Sequence, residues 1–440
     1  MCKLADLKGI GPIILMGGEG SRMLTSVPKP FALIKPGVTP VGNICMQLEV
    51  AGFEYADIYG VITDAIQAGL CKERVKKVST GNLLNYARGY GYVGNMGNST
   101  LGAAELGGID CSLIIPGDAY FEDTESFVST IHKMVSVTSK TGQPTLAGVP
   151  TGDAQTMTGL GVILVDKEDV IDGSYGIDKF REKPPLKDAE ELMRQGKTFA
   201  SSGVYCIPVE EIRKHYPKEY LDKEYDAYLK SDTIKTDMGL EVPEFITKLN
   251  FRVVPMEAGW RDLGTMNSLY KIQNIGARHG NATNCVSAPG SNRTNCRRTF
   301  FTSDVEGVTI YGTNIEDCTL AVIEKNGRLC VAAVPYELDQ MVGIITKIFN
   351  GQPLRRQEQN AYNLLCGENN NCRVIKTNMT NHAEDDAPCV VSLGMTNVTF
   401  VLNEVSTGNV SVIISAEDRH ACHVSKEVIA KAFELLREKD

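Results

Sequence analysis

The sequence predicts an α/β fold, a mostly parallel sheet flanked by helices, followed by a β-rich second domain. Over about the first 275 residues, short β-rich runs alternate with amphipathic stretches of helical period, which is the pattern of a parallel sheet covered by helices. After residue 276 the sequence becomes rich in Asn, Thr, Gly and Cys, with short alternating strands. A chain of 440 residues is long for one core, so we expect two domains, residues 1–276 and 277–440.

The first strand is predicted at residues 12–16, where the chain is apolar throughout. A glycine-rich loop follows it. The next predicted elements are a helix at 41–52, a strand at 58–62, a helix at 65–78 and a strand at 111–116. This last strand continues into Gly117 and Asp118, which places a carboxylate at the edge where open α/β sheets bind their ligands.

The second domain contains two segments of similar plan. Residues 305–349 and 393–436 each show an alternating strand, a charged turn, a second strand and an amphipathic helix, so we predict two weak repeats. The polar, asparagine-rich residues 352–386 between them are typical of a flexible excursion.

Composition and charge exclude several classes of protein. No apolar run approaches the roughly 18–20 residues that cross a bilayer, and the first residues lack the apolar core of a secretory signal. We therefore expect a cytoplasmic protein with no membrane partner, whose 13 cysteines, none in a C-x-x-C pair, are mostly buried and reduced. A net charge of −9 argues against a nucleic-acid partner, since phosphate backbones are bound by clustered Lys and Arg.

A glycine-rich loop directly follows the first predicted strand. Gly17, Gly18 and Gly20 would let backbone N–H groups approach a polyphosphate closely, and Ser21 leads into Arg22, a cation with forked donors. The loop has neither the ending of a Walker A motif nor the spacing of a dinucleotide-binding loop. Taken alone, such a loop is about as often a simple structural turn.

Lys29 lies between two prolines, seven residues beyond Arg22, where extended backbone would hold a second cation rigidly. The loop and this P-K-P segment together resemble the opening signature of the sugar-1-phosphate nucleotidyltransferases, G-G-x-G-x-R-L followed by P-K-P or P-K-Q, with Met23 in place of the usual leucine. The resemblance implies a Rossmann-like mixed sheet, the nucleotide-diphospho-sugar transferase fold. It also implies Mg²⁺-dependent transfer from a nucleoside triphosphate to a sugar 1-phosphate.

Further family segments follow in chain order. Residues 98–104 resemble the helix start that faces the nucleotide base, which implies nucleotide-binding roles for Thr100 and Gly102, although Ser99 stands where the family has glycine. The strand ending in Asp118 and the W-x-D-x-G-T segment containing Asp262 resemble the two metal-binding segments. Two carboxylates suit Mg²⁺ at a triphosphate. The alternative for either aspartate alone is a helix cap.

The sugar-binding segments of the family are matched as well. Residues 180–184 match F-x-E-K-P, which implies that Glu182 binds sugar hydroxyls and that Lys183 binds the phosphate of the sugar. Residues 200–205 resemble the N-[AS]-G-[IV]-Y strand, with Ser201 in place of asparagine and Ser202 at the sugar. Gly161 occupies the place of the glycine that lines the sugar pocket.

The implied reaction is an in-line displacement, with Arg22 and Lys29 on the triphosphate and Lys183 on the attacking phosphate. The second domain resembles the tail of mannose-1-phosphate guanylyltransferases, which favours GTP with mannose 1-phosphate and self-association through that domain. UTP or dTTP with glucose 1-phosphate is the alternative pair. A paralogue that binds nucleotide sugar without catalysis is the alternative function. A dinucleotide-dependent oxidoreductase is disfavoured, because no acidic residue follows the glycines by about 20 residues.

Overall fold

The computed structural model describes the following parts of the chain: residues 6–17, 25, 27–34, 37–62, 70–71, 83–85, 91–150, 152–215, 241–264, 266–273, 282–285, 291–303, 305, 307–325, 328–366, 373–377, 389–392, 398–406, 409–416 and 426–437. The chain divides into two compact units, Met1–Gly18 with Pro40–Asp262, and Glu19–Thr39 with Leu263–Asp440. The boundary predicted between residues 276 and 277 lies outside the described residues.

A nine-stranded mixed sheet forms the centre of the first unit, which confirms the predicted α/β fold class. Its strands run in the order β3-β2-β1-β4-β9-β6-β10-β8-β7. The bounds are β1 Ile10–Leu15, β2 Tyr59–Ile62, β3 Leu83–Asn85, β4 Cys111–Pro116, β6 Thr145–Pro150, β7 Gly161–Ile171, β8 Ser174–Glu182, β9 Thr198–Pro208 and β10 Arg252–Pro255. Two further strands, β5 Ala119–Phe121 and β11 Trp260–Asp262, form a separate two-stranded sheet.

Strand direction changes within this sheet. The four strands from β3 to β4 are mutually parallel, whereas β9 is antiparallel to both β4 and β6. The parallel strand β1 is buried along its centre, as a strand covered on both faces should be. The predicted strand at 111–116 matches β4, and the predicted strand at 58–62 begins one residue late in the structure.

The α-helices in the described part of this unit alternate with the strands along the chain. They are α1 Pro40–Ala51, α2 Gly91–Gly107, α3 Thr124–Thr141, α4 Ala154–Met157, α5 Leu186–Gln195, α6 Val209–His215 and α7 Val242–Lys248. Sequence explains the bounds of α3: Asp123 accepts a hydrogen bond from the Ser126 N–H at 3.0 Å, and Gly142 ends the helix at φ 71°. The predicted helix at 41–52 is α1, while most of the one predicted at 65–78 lies outside the described residues.

Two five-stranded sheets form the second unit, in the orders β12-β14-β16-β17-β19 and β13-β15-β21-β20-β18. The bounds are β12 Ala282–Cys285, β13 Asn292–Thr294, β14 Arg297–Ser303, β15 Val308–Thr313, β16 Glu316–Lys325, β17 Arg328–Pro335, β18 Arg373–Thr377, β19 Cys389–Ser392, β20 Val398–Ser406 and β21 Asn409–Ala416. The helices are α8 Met266–Gln273, α9 Val342–Phe349, α10 Arg356–Cys366 and α11 Lys426–Arg437. Side chains of both sheets, such as Phe301 and Phe400, share one buried core.

The chain passes from one sheet to the other and back between β12 and β16, and the corners repeat. Asn295 and Asn314 both adopt positive φ, as do Arg298 and Asp317 three residues later. The Asn295 amide donates a hydrogen bond to the Asn314 side-chain oxygen at 2.7 Å. Asparagine tolerates the left-handed region better than most residues, so these corners are encoded by side-chain type.

The two segments predicted as repeats each contain an antiparallel hairpin followed by a helix: β16 and β17 before α9, and β20 and β21 before α11. Whether they are true repeats stays a prediction. Seven cysteines of the described residues are buried: Cys45, Cys71, Cys111, Cys206, Cys296, Cys318 and Cys330. No helix in the described parts of the chain is long and apolar enough to cross a membrane.

Candidate active site

A cavity of about 540 Å³ opens in the first unit. Strand ends and the start of one helix supply its walls. The lining residues are Pro116, Asp118, Ala119, Gly159, Leu160, Gly161, Glu182, Lys183, Ser201, Ser202, Gly203, Tyr205, Glu241, Val242, Trp260 and Asp262. The predicted metal, phosphate and sugar residues of this unit therefore meet around one space, although they come from segments far apart in the sequence.

Two carboxylates line this cavity. Asp118 follows the end of β4, and Asp262 is the last residue of β11. Strand β11 pairs with β5 so that Asp262 lies opposite Ala119, the residue next to Asp118. Two hard carboxylates on neighbouring segments are a donor set that fits Mg²⁺, which takes one or two carboxylates together with phosphate oxygens and water.

Gly17 lies at the same edge of the sheet. The Gly117 N–H donates to the Leu15 carbonyl at 2.9 Å, which holds the end of β4 beside the end of β1. Gly17 thus follows a strand whose end lies next to the one that carries Asp118. The other predicted loop residues, Gly18, Gly20, Ser21 and Arg22, lie outside the described residues.

Glu182 and Lys183 sit at the end of the hairpin formed by β7 and β8. Gly161 lies opposite Glu182 in that hairpin, and a Cβ at Gly161 would lie 2.6 Å from Phe180 Cζ and 3.1 Å from Glu182 Oε2. Only glycine leaves the Glu182 carboxylate room in this position.

Lys183 has an unusual backbone for its residue type. Its φ is 45°, in the left-handed region that costs a non-glycine residue of the order of 1 kcal/mol or more. The Lys183 N–H donates to the Leu160 carbonyl at 3.0 Å, which holds this conformation. The Lys183 Nζ lies 3.6 Å from Glu182 Oε1, with both side chains partly exposed to the cavity. An exposed pair of this kind is weak, so the ammonium group can turn to an incoming phosphate.

Strand β9 contributes an irregular segment to the wall. Its pairing with β6 shifts register between Leu146 and Gly148, and Gly203 has φ 74°. Bulges of this kind re-aim side chains beside active sites. The Ser202 hydroxyl donates to the Ala147 carbonyl at 2.7 Å and accepts from the Val204 N–H at 3.2 Å. Ser202 therefore lines the cavity with its hydroxyl proton donated to the Ala147 carbonyl. Its role at a sugar stays a prediction.

Thr100 and Gly102 lie in the interior of α2, which begins at Gly91, so the predicted helix start near residue 98 is wrong. The Thr100 side chain is fully buried and donates to the Ser112 hydroxyl at 2.9 Å. This hydrogen bond joins α2 to β4. Neither residue lines the cavity, and their nucleotide-binding roles stay predictions.

Lys29 belongs to the second unit. It begins a short 3₁₀ helix, Lys29–Phe31, rather than the extended segment expected from its two flanking prolines. Its side chain is largely buried. A role for Lys29 at a triphosphate stays a prediction.

The sequence motifs assign no role to several residues that line the cavity. Glu241 precedes α7, and no local pattern marks it. Trp260 lies two residues before Asp262, so both side chains point to the same face of β11. The indole N–H of Trp260 is buried and has no hydrogen-bond acceptor among the described residues. The alternation along β11 is the signal that could have placed Trp260 in the site.

A family model described as nucleotidyl transferase matches residues 11–278. The chain belongs to this nucleotidyl transferase family. The match covers more than half of the chain and includes every segment that lines the cavity. The resemblance to sugar-1-phosphate nucleotidyltransferases is therefore confirmed.

Curated proteins of this family are similar to the chain at low identity. The alginate biosynthesis protein AlgA of Pseudomonas fluorescens is 25% identical over 295 residues, which cover 62% of this chain and 60% of that protein. The mannose-1-phosphate guanylyltransferase of Salmonella montevideo is 24% identical over 313 residues, 62% of each. The chain thus spans about three fifths of the length of the curated relatives it matches.

The fold has a counterpart among solved structures. A crystal structure titled mannose-1-phosphate geranyltransferase, from Thermus thermophilus, superposes with a TM-score of 0.61 at 16% identity, over 77% of this chain and 99% of that one. At this identity the likeness concerns the fold alone. It confirms the predicted α/β architecture with a β-rich C-terminal region.

Proposed function

We propose that the protein transfers a nucleotidyl group from a nucleoside triphosphate to a sugar 1-phosphate and releases pyrophosphate. The cavity supports this proposal, because it brings together Asp118, Asp262, Glu182 and Lys183. A family relationship alone does not require these four groups to share one space. Membership of the nucleotidyl transferase family supports the class of reaction.

In the proposed reaction an oxygen of the sugar phosphate attacks the α-phosphorus of the triphosphate. The bond from the α-phosphorus to the β-phosphate bridging oxygen breaks, and pyrophosphate leaves on the opposite side. No proton has to be removed from a dianionic phosphate, so positioning and charge neutralisation supply the catalysis. Lys183 would hold the attacking phosphate, and Glu182 would orient the sugar through its hydroxyls.

Asp118 and Asp262 would hold a divalent cation, for which Mg²⁺ is the candidate. When bound, the cation would neutralise charge on the phosphate oxygens. Asp262 ends β11, and Asp118 directly precedes β5, the strand that pairs with β11. The pairing of Asp262 with Ala119 would bring both aspartates to one cation.

GTP and mannose 1-phosphate are the proposed substrates, since the relatives with named substrates include a mannose-1-phosphate guanylyltransferase. UTP or dTTP with glucose 1-phosphate remains the alternative pair. We place the reaction in the cytoplasm, where the buried free cysteines would stay reduced.

The test is pyrophosphate release by the purified protein with Mg²⁺. Each of GTP, UTP, dTTP, ATP and CTP is offered with mannose, glucose or fucose 1-phosphate. Turnover with one pair at a rate well above the others supports the proposal and names the substrates. No turnover with any pair, while nucleotide still raises the midpoint of thermal unfolding, would replace it with a paralogue that binds without catalysis.

A further inference from the structure

Glu241 lines the cavity but has no part in the reaction described above. Glu241 is exposed and lies immediately before α7. Its side chain accepts no hydrogen bond from the N–H groups of that helix, while its backbone carbonyl accepts one from the Phe245 N–H at 3.0 Å. The carboxylate is therefore not used to cap the helix.

The position of Glu241 is fixed by the packing of its neighbours. Val242, the next residue, packs against the buried core beneath the sheet, and Phe245 and Ile246 are fully part of that core. Helix α7 lies against β8, the strand that ends in Glu182. The Glu241 backbone is thus anchored at the wall of the cavity that Glu182 and Lys183 also line.

Charge decides which part of a sugar phosphate this carboxylate can face. Among the described residues that line the cavity, Lys183 carries the only basic side chain, and Asp118, Glu182, Glu241 and Asp262 are acidic. A phosphate would be repelled by Glu241 and attracted to Lys183 and to a cation between the aspartates. The neutral, hydroxyl-bearing ring is the part of the substrate that suits Glu241, because an ionised carboxylate only accepts hydrogen bonds and a hydroxyl donates them.

We propose that Glu241 accepts a hydrogen bond from a ring hydroxyl of the sugar 1-phosphate and so helps to select the sugar. This inference rests on the proposed function. A site that binds a hydroxyl through a charged acceptor discriminates strongly against a substrate that lacks the hydroxyl, since the acceptor is then left without its partner.

The experiment compares Glu241→Gln and Glu241→Ala with the wild type. The substrates are the sugar 1-phosphate that the wild type prefers and a set of its monodeoxy analogues, each lacking one ring hydroxyl. Glu244→Gln is the matched control, because Glu244 is an exposed glutamate on α7 that does not line the cavity. Circular dichroism and the midpoint of thermal unfolding show whether each variant is folded.

For the parent sugar, Glu241→Ala should lower kcat/KM by about 10-fold or more, the usual effect of removing a hydrogen bond to a charged group, mainly through KM. Glu241→Gln should lose less, and Glu244→Gln should match the wild type. With one deoxy analogue, the wild type and Glu241→Ala should have nearly the same kcat/KM, which identifies the hydroxyl that Glu241 binds.

If Glu241→Ala lowered kcat/KM by the same factor for the parent sugar and for every deoxy analogue, or lowered it for none of them, the inference would be overturned. Either result would leave the proposed function intact. Wild-type protein that turned over no nucleotide and sugar pair would overturn the proposed function, and this inference with it. The wild-type rates and the ratios between variants therefore report on the two proposals separately.

Discussion

Gly161 is the residue at which a single methyl group should disturb the cavity most directly. An alanine there would place its Cβ 2.6 Å from Phe180 Cζ, and Phe180 is buried in the core. The ring, or the Glu182 carboxylate at 3.1 Å, would have to move. We expect Gly161→Ala to lower kcat/KM for the sugar 1-phosphate by roughly 10- to 100-fold, as a displacement of about 1 Å in a binding group can.

Steady-state kinetics with each substrate varied in turn would check this prediction. The KM for the nucleoside triphosphate should change little, because Glu182 is assigned to the sugar. Gly152→Ala is the control, since a Cβ at Gly152 meets no atom of the described residues within 4 Å. Wild-type kinetics for Gly161→Ala would show that the Glu182 carboxylate does not contact the sugar.

Asp262 provides the residue-scale test of the cation site. Asparagine keeps the shape of the side chain but removes the charge that a divalent cation requires. We expect Asp262→Asn to lower Mg²⁺-dependent turnover by about 100-fold or more, with little change in the midpoint of thermal unfolding. Asp188→Asn, an exposed aspartate on α5, should keep wild-type turnover. Near-normal activity in Asp262→Asn would remove Asp262 from the metal site.

At the scale of elements, the corner between α9 and α10 depends on one buried carboxylate. Glu358 accepts two hydrogen bonds from Lys347 Nζ, both at 2.8 Å, and two from Arg355, from its backbone N–H at 2.9 Å and its guanidinium at 3.0 Å. Burial raises the pKa of Glu358, but these hydrogen bonds lower it by more, and the net result is a pKa of about 2.

A carboxyl group whose pKa is lowered on folding stabilises the protein above its ordinary pKa, here 4.5, and this contribution is lost as pH falls towards 2. We therefore expect Glu358→Gln to lower the unfolding free energy at pH 7 by about 3 kcal/mol. The difference from the wild type should shrink between pH 5 and pH 3. Thermal unfolding midpoints across this range measure it, with the exposed Glu434→Gln as control. A difference that stayed constant with pH would contradict the prediction.

Another element-scale feature is the hairpin of β7 and β8, which carries Gly161 and Glu182 at one end. At its other end Arg252, only 2% exposed, donates to both oxygens of Asp169 at 2.9 and 3.0 Å and to the Ser174 hydroxyl at 3.0 Å. These charge-assisted hydrogen bonds, the two to Asp169 both from Nη1, join β10 to the hairpin. No local sequence pattern predicts this contact, because Arg252 and Asp169 lie 83 residues apart in the chain.

Local pattern was sufficient for some elements and not for others. Strands β1 and β4 could be predicted because each is a short apolar run bounded by glycine or polar residues. The repeat of the corners at Asn295 and Asn314, 19 residues apart, was not predicted, because the residues around the two asparagines differ. Arg298 in one corner corresponds to Asp317 in the other. Their pairing across adjacent strands depends on complementary charge rather than on identity.

At the scale of the whole molecule, some residues of the site can be predicted from the sequence around them, and others are placed only by tertiary contacts. Asp118, Glu182 and Asp262 each stand in a recognisable segment, and the structure brings them together. Glu241 enters the same cavity only because α7 packs against β8, which is a tertiary contact that no spacing in the sequence expresses. Thr100 shows the converse, a residue in a suggestive segment whose hydroxyl is used between a helix and the sheet.

The whole chain contains a single tryptophan, and that residue, Trp260, lines the cavity. Tryptophan emission from this chain therefore reports on this cavity alone. We expect sugar 1-phosphate with Mg²⁺ to change that emission. At about 100 times the dissociation constant, binding should stabilise the protein by about 2.7 kcal/mol and raise the emission-monitored unfolding midpoint by roughly 5–10 °C.

Two variants make this measurement decisive. Trp260→Phe should lose the emission signal. Because the phenylalanine ring occupies much of the space of the indole, calorimetry should still detect the heat of binding. Asp262→Asn should keep the emission of the free protein and lose most of its response to ligand and Mg²⁺ together. If calorimetry showed saturation of the wild type without any change in its emission, the sugar phosphate would bind away from Trp260, and the cavity would not be its site.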